Sequence, residues 1–369
     1  MAPLPIDSTD ARRYARMHYR LLFADLVLGL VILAGFQLSG ASYALAHWWA
    51  SLGVGEPLVI LGYLACFGCC YYVLVLPLHF YGSFWVEHQF GLSRLTITGW
   101  LIRELKQVML SAVLAASLVE GLYGLLRHQP EHWPIWATIG WVGVSVVLAR
   151  VFPTLLLPLF YKTTPLEDDA LKKRLLELCQ RVGLSAVGVF RVGFGAETRK
   201  ANAALAGLGK TRRILLADTL LANFTPDEIE GVLAHELAHQ RYRHIVKFLL
   251  ISAVGSWLAF TLTTVVAQWW VRGLRLHSLD DIAGFPMLML WFSLLGFVGL
   301  PAQNALSRYF EWQADHFALA TATRPAAFAD ALRRLAALNL ADPNPPKWIV
   351  WLFYDPPPIT ERIQAATIH

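Results

Sequence analysis

The chain has 369 residues, 56% hydrophobic and only 15% charged, where a soluble domain carries about 25% charged residues. That composition excludes a disordered chain, a coiled coil, a small disulfide scaffold and an ordinary soluble globule, and leaves a polytopic membrane protein with a modest soluble portion. The net charge of +5 is no signature of a nucleic-acid partner, because basic residues in a membrane protein set topology.

A bilayer takes about 20 consecutive apolar residues. Six runs qualify: 21–40, 58–80, 107–126, 134–160, 246–271 and 282–306. The first is too long for the apolar core of a cleaved signal and no small-residue cleavage site follows it, so it reads as an anchor. The fourth is broken at Pro153 and Pro158, which leaves room for a re-entrant piece. Cys66, Cys69 and Cys70 sit in the second run and read as buried, inert thiols. Asp25 and Glu120 lie in apolar runs, so each faces an interior cavity or reaches an interface.

Lys/Arg asymmetry orients the spans. Arg12, Arg13, Arg16 and Arg20 hold the leader in the cytoplasm, and the 42–57 loop, with neither Lys nor Arg, lies outside. Arg94, Arg103 and Lys106 return 81–106 to the inside. The short 127–133 connection is outside, which puts the segment from Tyr161 inside. The 272–281 turn must then be outside despite Arg272 and Arg275, and the C-terminal segment is inside.

Between the fourth and fifth spans the chain turns polar. Residues 166–182 have apolar positions at 3–4 spacing and read as an amphipathic helix. Residues 187–192, 201–206 and 213–218 read as short strands. Thr225 is an N-cap, Pro226 fits the first helical position and Glu228 completes a capping box. That helix is expected to run through 228–245, straight into the fifth span. Residues 326–340 are helical, and the Pro-rich 342–358 is extended or looped.

The helix opened by Pro226 contains His235-Glu236-Leu237-Ala238-His239, an H-E-x-x-H. Residues i and i+4 share a helical face, so both imidazoles reach one ion, with Glu236 beside them as a base for water. Two imidazoles plus a carboxylate, with one open position, suit Zn²⁺. The carboxylate is expected from Glu311-Trp312-Gln313-Ala314-Asp315, where Glu311 ligates and Asp315 orients a ligand histidine. Consecutive spans form a hairpin with both ends on one face, so 239 and 311 meet although a membrane crossing separates them in sequence.

HELAH followed by SRYFEWQADHFA (307–318) resembles the type I CAAX prenyl protease family, integral-membrane gluzincin zinc metalloproteases. Residues 87–106 (EHQFGLSRLTITGWLIRELK), 152–166 (FPTLLLPLFYKTTPL), Asn202-Ala203 with the AALAG that follows, 213–220 (RILLADTL) and 355–363 (DPPPITERI) resemble further family segments. The resemblance covers about three quarters of the chain, 85–363. It implies His235, His239 and Glu311 as zinc ligands, Glu236 as general base and acid, and Asn202 and Ala203 in the strand that binds substrate. Arg362 is then a support residue beside the active site, and the membrane helices enclose a large chamber. Pro356 stands where the family has a histidine before Pro-Pro, so a stabilising or substrate-binding group is missing or supplied elsewhere. His316 and His244 are candidates. Arg308, near Glu311, pairs structurally or meets a substrate carboxylate.

The expected fold is a mostly α polytopic membrane protein, about six transmembrane helices with a cytoplasmic-side α+β gluzincin domain. Residues 1–160 form the N-terminal membrane region, 161–245 the first part of the protease domain, 246–306 a transmembrane hairpin and 307–369 the second part. The expected activity is zinc-dependent endopeptidase cleavage of a peptide or protein, C-terminally prenylated by the resemblance, at the lipid bilayer and without nucleic acid. Two alternatives stand beside it. One is a membrane quality-control protease for misfolded or membrane-associated peptides. The other is a non-catalytic peptide- or lipid-binding protein with a structural zinc site, against which the intact Glu236 argues.

Overall fold

The computed structural model describes residues 9–184, 188–207 and 211–368; position 187, first of the strand expected at 187–192, lies outside them. The N-terminal half is helical: α1 (Thr9–Leu38), α2 (Ala41–Ser51), α3 (Glu56–Gln89), α4 (Ile97–His128) and α5 (Trp133–Phe160). Then follow β1 (Thr163–Pro165), α6 (Asp169–Arg181), β2 (Val189–Val192), β3 (Ala203–Ala206), β4 (Arg213–Ala217), α7 (Asp218–Asn223) and α8 (Pro226–Arg241). The chain ends with α9 (His244–Gly273), α10 (Phe285–Thr321), α11 (Pro325–Leu338), α12 (Lys347–Phe353) and α13 (Ile359–Ile368).

Helices α1, α3, α4, α5, α9 and α10 are long and apolar enough to cross a membrane. Their surfaces carry side chains that only lipid would cover, such as Val113 at 64% exposure and Val265 at 65%, while the helix satisfies its own backbone groups. Cys66, Cys69 and Cys70 are on this surface, exposed on α3 rather than buried as expected. The fourth run is one helix. A π-helical turn at Phe152–Leu156 accommodates Pro153, and no re-entrant piece forms. Helix α2 occupies most of the connection expected as a plain loop.

The connections sort to two ends. At one, Arg127 bridges Glu56 (2.9 Å) and Asp280 (3.5 Å), and the Ser42 hydroxyl donates to the Ala283 carbonyl (2.7 Å). The 272–281 turn thus gathers with the two connections expected outside. At the other end the turn after α3 lies on the polar part of the chain. The Arg94 N–H donates to the Glu197 carbonyl (2.8 Å) and the Arg199 N–H to the Leu92 carbonyl (2.9 Å), while Lys200 pairs with Glu87 (2.9 Å).

The sheet has the order β1-β2-β4-β3. β1 and β3 pair antiparallel with their neighbours and β2 runs parallel to β4. β3 is therefore an edge. β1 was not among the expected strands, since three residues are too few to show an alternation.

Helix α8 is the core of the polar part. Ile229, Leu233 and Leu237 are buried among Leu175 and Leu178 of α6 and Phe328 and Leu332 of α11. A Cβ on Gly231 would come within 3.1 Å of the Phe328 Cβ, so glycine lets α11 close on α8. The expected capping box is present: the Glu228 N–H donates to Thr225 Oγ1 (3.3 Å) and the Thr225 N–H to Glu228 Oε2 (2.7 Å). The Glu230 side chain, 1% exposed, takes Arg174 and Arg181 and the Thr323 hydroxyl (2.7 Å).

Two expectations fail here. α8 does not run through 245: Arg243 is left-handed (φ 55°, ψ 40°) and α9 starts afresh at His244. A non-glycine residue there costs about 1–2 kcal/mol. Residues 342–358 are not all loop, since α12 lies among them.

Burial alone would raise the Glu230 carboxyl, but Thr323 and the two arginines outweigh it and hold it below the ordinary glutamate value. Its stabilising contribution is therefore full above that value and lost as pH falls below it. Glu230→Ala, which removes the buried acceptor of Thr323, Arg174 and Arg181 while Arg174 keeps Asp227, is expected to destabilise by about 1–3 kcal/mol and to flatten the acid limb of stability in detergent. An unchanged acid limb would contradict this.

Candidate active site

Helix α10 has 37 residues, about 55 Å at 1.5 Å per residue, against a hydrocarbon layer of about 30 Å. Its last turns therefore project from the membrane and lie against α8. They bring Glu311 to the two histidines of α8. Glu311 Oε2 is 3.3 Å from His235 Nε2, and Glu311 Oε1 is 3.4 Å from His239 Nε2. The two Nε2 atoms are 3.2 Å apart. Ligands at about 2.0–2.1 Å in a tetrahedron stand about 3.3 Å from one another. The two imidazoles stand at that spacing and each meets a different Glu311 oxygen. Taking one atom per residue, the three lie within 4.8 Å of one another, and among the described residues no fourth His, Cys, Asp or Glu joins the group.

Each imidazole is backed differently. His235 Nδ1 is 2.8 Å from Asp315 Oδ1. Arg362 grips that carboxylate with Nε (2.8 Å) and Nη2 (2.6 Å), and its Nη2 is 3.6 Å from Glu311. His239 Nδ1 is 3.0 Å from His244 Nδ1.

Burial pulls the His235 imidazolium down, but Asp315 and Glu311 outweigh it and push it up to about 9. His239 has no such carboxylate on Nδ1. Burial and the positive His235 beside it push it down to about 4. Burial raises the Glu236 carboxyl, which suits a group that must take a proton near neutrality.

Glu236 also lies by the sheet, where the Leu205 backbone helps hold its carboxyl down against burial. In an antiparallel pair successive residues face alternate edges. The Asn202 carbonyl accepts from Ala217 (3.0 Å), so Asn202, Ala204 and Ala206 face β4 while Ala203 and Leu205 face outward. The open edge is closed upstream by Asn339, whose amide accepts the Ala201 N–H (3.0 Å) and donates to the Ala201 carbonyl (3.2 Å).

The expected residues divide accordingly. His235, Glu236, His239, Glu311, Asp315 and Arg362 converge. Ala203 faces the open edge. The Asn202 backbone does not, because β4 takes its carbonyl, and its side chain is exposed. His316 turns back onto its own helix, donating to the Trp312 carbonyl (2.7 Å). Arg308 meets no substrate-facing group: it clamps the tail, donating to the Val350 (2.9 Å) and Tyr354 (2.6 Å) carbonyls. His244 is buried behind His239, not beside the open side of the cluster. Gln313 and Asn339 were missed. Gln313 lies inside the EWQAD segment, but nothing in its spacing pointed to His244.

A cavity of about 750 Å³ opens between α1, α3 and the loops on the sheet. Leu21, Leu78 and Phe353 line it together with charged groups, among them Asp25, Glu87, Arg103, Glu197 and Lys200. Asp25 therefore faces a cavity. Glu120 Oε1 is buried without a hydrogen-bond partner.

Comparison with known proteins follows the same division. Residues 165–368 match the model of peptidase family M48, and residues 7–162 match that described as CAAX prenyl protease N-terminal, five membrane helices. The uncharacterized metalloprotease YhfN of Bacillus subtilis is 26% identical over 366 residues, covering 98% of this chain and 86% of that protein. CAAX prenyl protease 1 of Saccharomyces cerevisiae is 32% identical over 215 residues, 58% of this chain and 47% of that protein. The crystal structure of S. mikatae Ste24p aligns with a TM-score of 0.83 at 25% identity, covering 96% of this chain and 88% of that one.

A metal held by this cluster must displace the proton that His235 carries below about pH 9. Binding at pH 7 is expected to release about one proton, none of it from His239, and affinity is expected to fall as pH drops. Calorimetry in buffers of different ionisation enthalpy counts the protons. A count of zero would contradict the charge state given to His235.

Proposed function

The chain belongs to peptidase family M48, a metalloprotease with a multi-pass membrane part, and from that premise we propose that His235, His239 and Glu311 hold a catalytic zinc and that Glu236 is the general base and acid. The observation that carries this is the convergence of the three donors, each offering one ligand atom within 4.8 Å of the other two. Zinc suits two imidazoles and a carboxylate, and when bound it supplies a Lewis acid for water and for the scissile carbonyl.

The chain's own residues do the rest. The Glu236 carboxylate takes a proton from the attacking water and returns it to the leaving amine. Asp315 holds His235 by its Nδ1 side, and Arg362 holds Asp315 while lying near Glu311. An extended peptide adds to β3 through the backbone groups of Ala203 and the Leu205 carbonyl, a β-augmentation. The small side chains of Ala203 and Ala204 leave space for it. Glu236, next to the Leu205 backbone, is then beside the peptide bond to be cut. Asn339 limits how far along the edge the peptide can pair.

The substrate is a peptide or protein that reaches the site from the membrane. The likeness to the CAAX prenyl proteases supports a C-terminally prenylated peptide over an unmodified one, and the cavity of about 750 Å³, with Leu21, Leu22, Leu78, Leu95 and Phe353 in its lining, has room for a lipid chain. The cluster Arg12, Arg13, Arg16 and Arg20 and the absence of Lys and Arg from 42–57 support a catalytic side facing the cytoplasm.

Glu236→Gln is expected to keep its metal and lose turnover by about 10²–10⁴-fold, while Glu311→Ala loses the metal; stoichiometric zinc in Glu311→Ala would defeat the third ligand. A farnesylated CAAX peptide and its unprenylated twin, each with purified protein and with Glu236→Gln, test the substrate. Preferential cleavage of the farnesylated peptide by the wild type alone is the expected result. Equal cleavage of both would move the function to general membrane proteolysis.

A further inference from the structure

His239 is backed by neither a carboxylate nor a backbone carbonyl, the usual partners of a metal-binding imidazole. Its Nδ1 meets a second histidine, and that histidine meets an amide. We propose that Gln313, acting through His244, fixes the tautomer of His239 that leaves its Nε2 lone pair facing the metal position, so that Gln313 and His244 are positioning residues for catalysis. The inference rests on the zinc-site reading above.

The proton positions follow from the orientation of the Gln313 amide. Gln313 Oε1 can only accept, and it is 3.1 Å from His244 Nε2. The proton of His244 is therefore on Nε2, and its Nδ1 is bare. That bare Nδ1 is 3.0 Å from His239 Nδ1, so His239 must be the donor. Its own proton is then on Nδ1, and Nε2 is free to face Glu311 and His235.

The chain is held at each link. In this orientation the Gln313 amide nitrogen donates to the Tyr309 hydroxyl (3.0 Å), one helical turn back, and the amide oxygen is left for His244. His244 is 1% exposed and stacks on Phe310 at 4.2 Å and 7°. The left-handed Arg243 immediately precedes it, so the α8–α9 break is what turns this ring back beneath His239. Were the amide reversed, its NH₂ would donate to His244 Nε2 and every proton would shift by one nitrogen. His239 would then present N–H to the metal position, and binding would have to pay for the reversal.

Gln313 is on α10, two residues from Glu311. The same helix therefore supplies one ligand directly and orients another through a histidine of α9. Asp315 orients the third from that helix as well.

The test is zinc affinity of the full-length protein in detergent, by competition with a chromophoric chelator. Gln313→Met keeps the bulk and removes the acceptor, and is expected to weaken zinc by about 10–100-fold. Gln313→Glu restores an acceptor and is expected to bind at least as tightly as wild type. His244→Phe, which keeps the ring stacking, is expected to lose affinity as Gln313→Met does. Gln313→Met is the variant least exposed to a folding defect. Wild-type affinity in Gln313→Met, or an equal loss in Met and Glu, would overturn the relay while leaving the zinc site intact. A wild-type protein that takes no zinc would overturn the zinc-site reading and the relay with it.

Discussion

The contact between α8 and the emergent end of α10 is the constraint that the rest of the architecture serves. Glu311 and Asp315 are carboxylates one turn apart on a single helix, both brought against a buried histidine. Buried like charges are costly unless compensated. His235 and the bidentate Arg362 supply that compensation, and Arg362 comes from the last helix of the chain. A residue of α13 thus completes a cluster whose three proposed ligands come from α8 and α10. The transmembrane hairpin α9–α10 brings these pieces together, because an antiparallel pair returns to the side it left. The membrane part is in this sense the scaffold that closes the site.

Much of this was legible in the chain. A run of apolar residues long enough to span a bilayer has few alternative readings, and all six runs appear as helices. H-E-x-x-H and EWQAD are legible because helical periodicity puts i and i+4 on one face, whatever the surroundings. The capping box at Thr225 and Glu228 was readable for the same reason, being local. The break at Arg243 was not. A left-handed residue is announced by glycine or asparagine, and arginine announces nothing; tertiary packing overrides local preference there. Because the break was invisible, so was the role of His244, which on a continuous helix would point elsewhere. β1 is too short to show a pattern, and α12 hides among prolines that cap it as readily as they would break it. Gln313 and Asn339 act through single hydrogen bonds to distant segments, and such pairings leave no periodic trace.

The site is asymmetric in a way that matters for chemistry. His235 is tied to a charged partner and His239 to a neutral relay, so the two ligands differ in basicity although they are one turn apart. Glu236, between them in sequence, is tied instead to the sheet edge through Leu205. The proposed base, two of the three proposed ligands and the sheet edge are therefore brought together by one helix. That helix is fixed by the Glu230 ion pairs, the Gly231–Phe328 approach and its capping box. Rigid placement of this kind is what a reaction that moves a proton between two substrate atoms requires.

The most direct measurement is an anomalous difference map at the zinc edge from crystals of the purified protein. The account predicts a single strong peak within about 2.0–2.2 Å of His235 Nε2, His239 Nε2 and a Glu311 oxygen, with no fourth protein ligand. A peak ligated by four protein groups, or one away from Glu311, would contradict a catalytic site here.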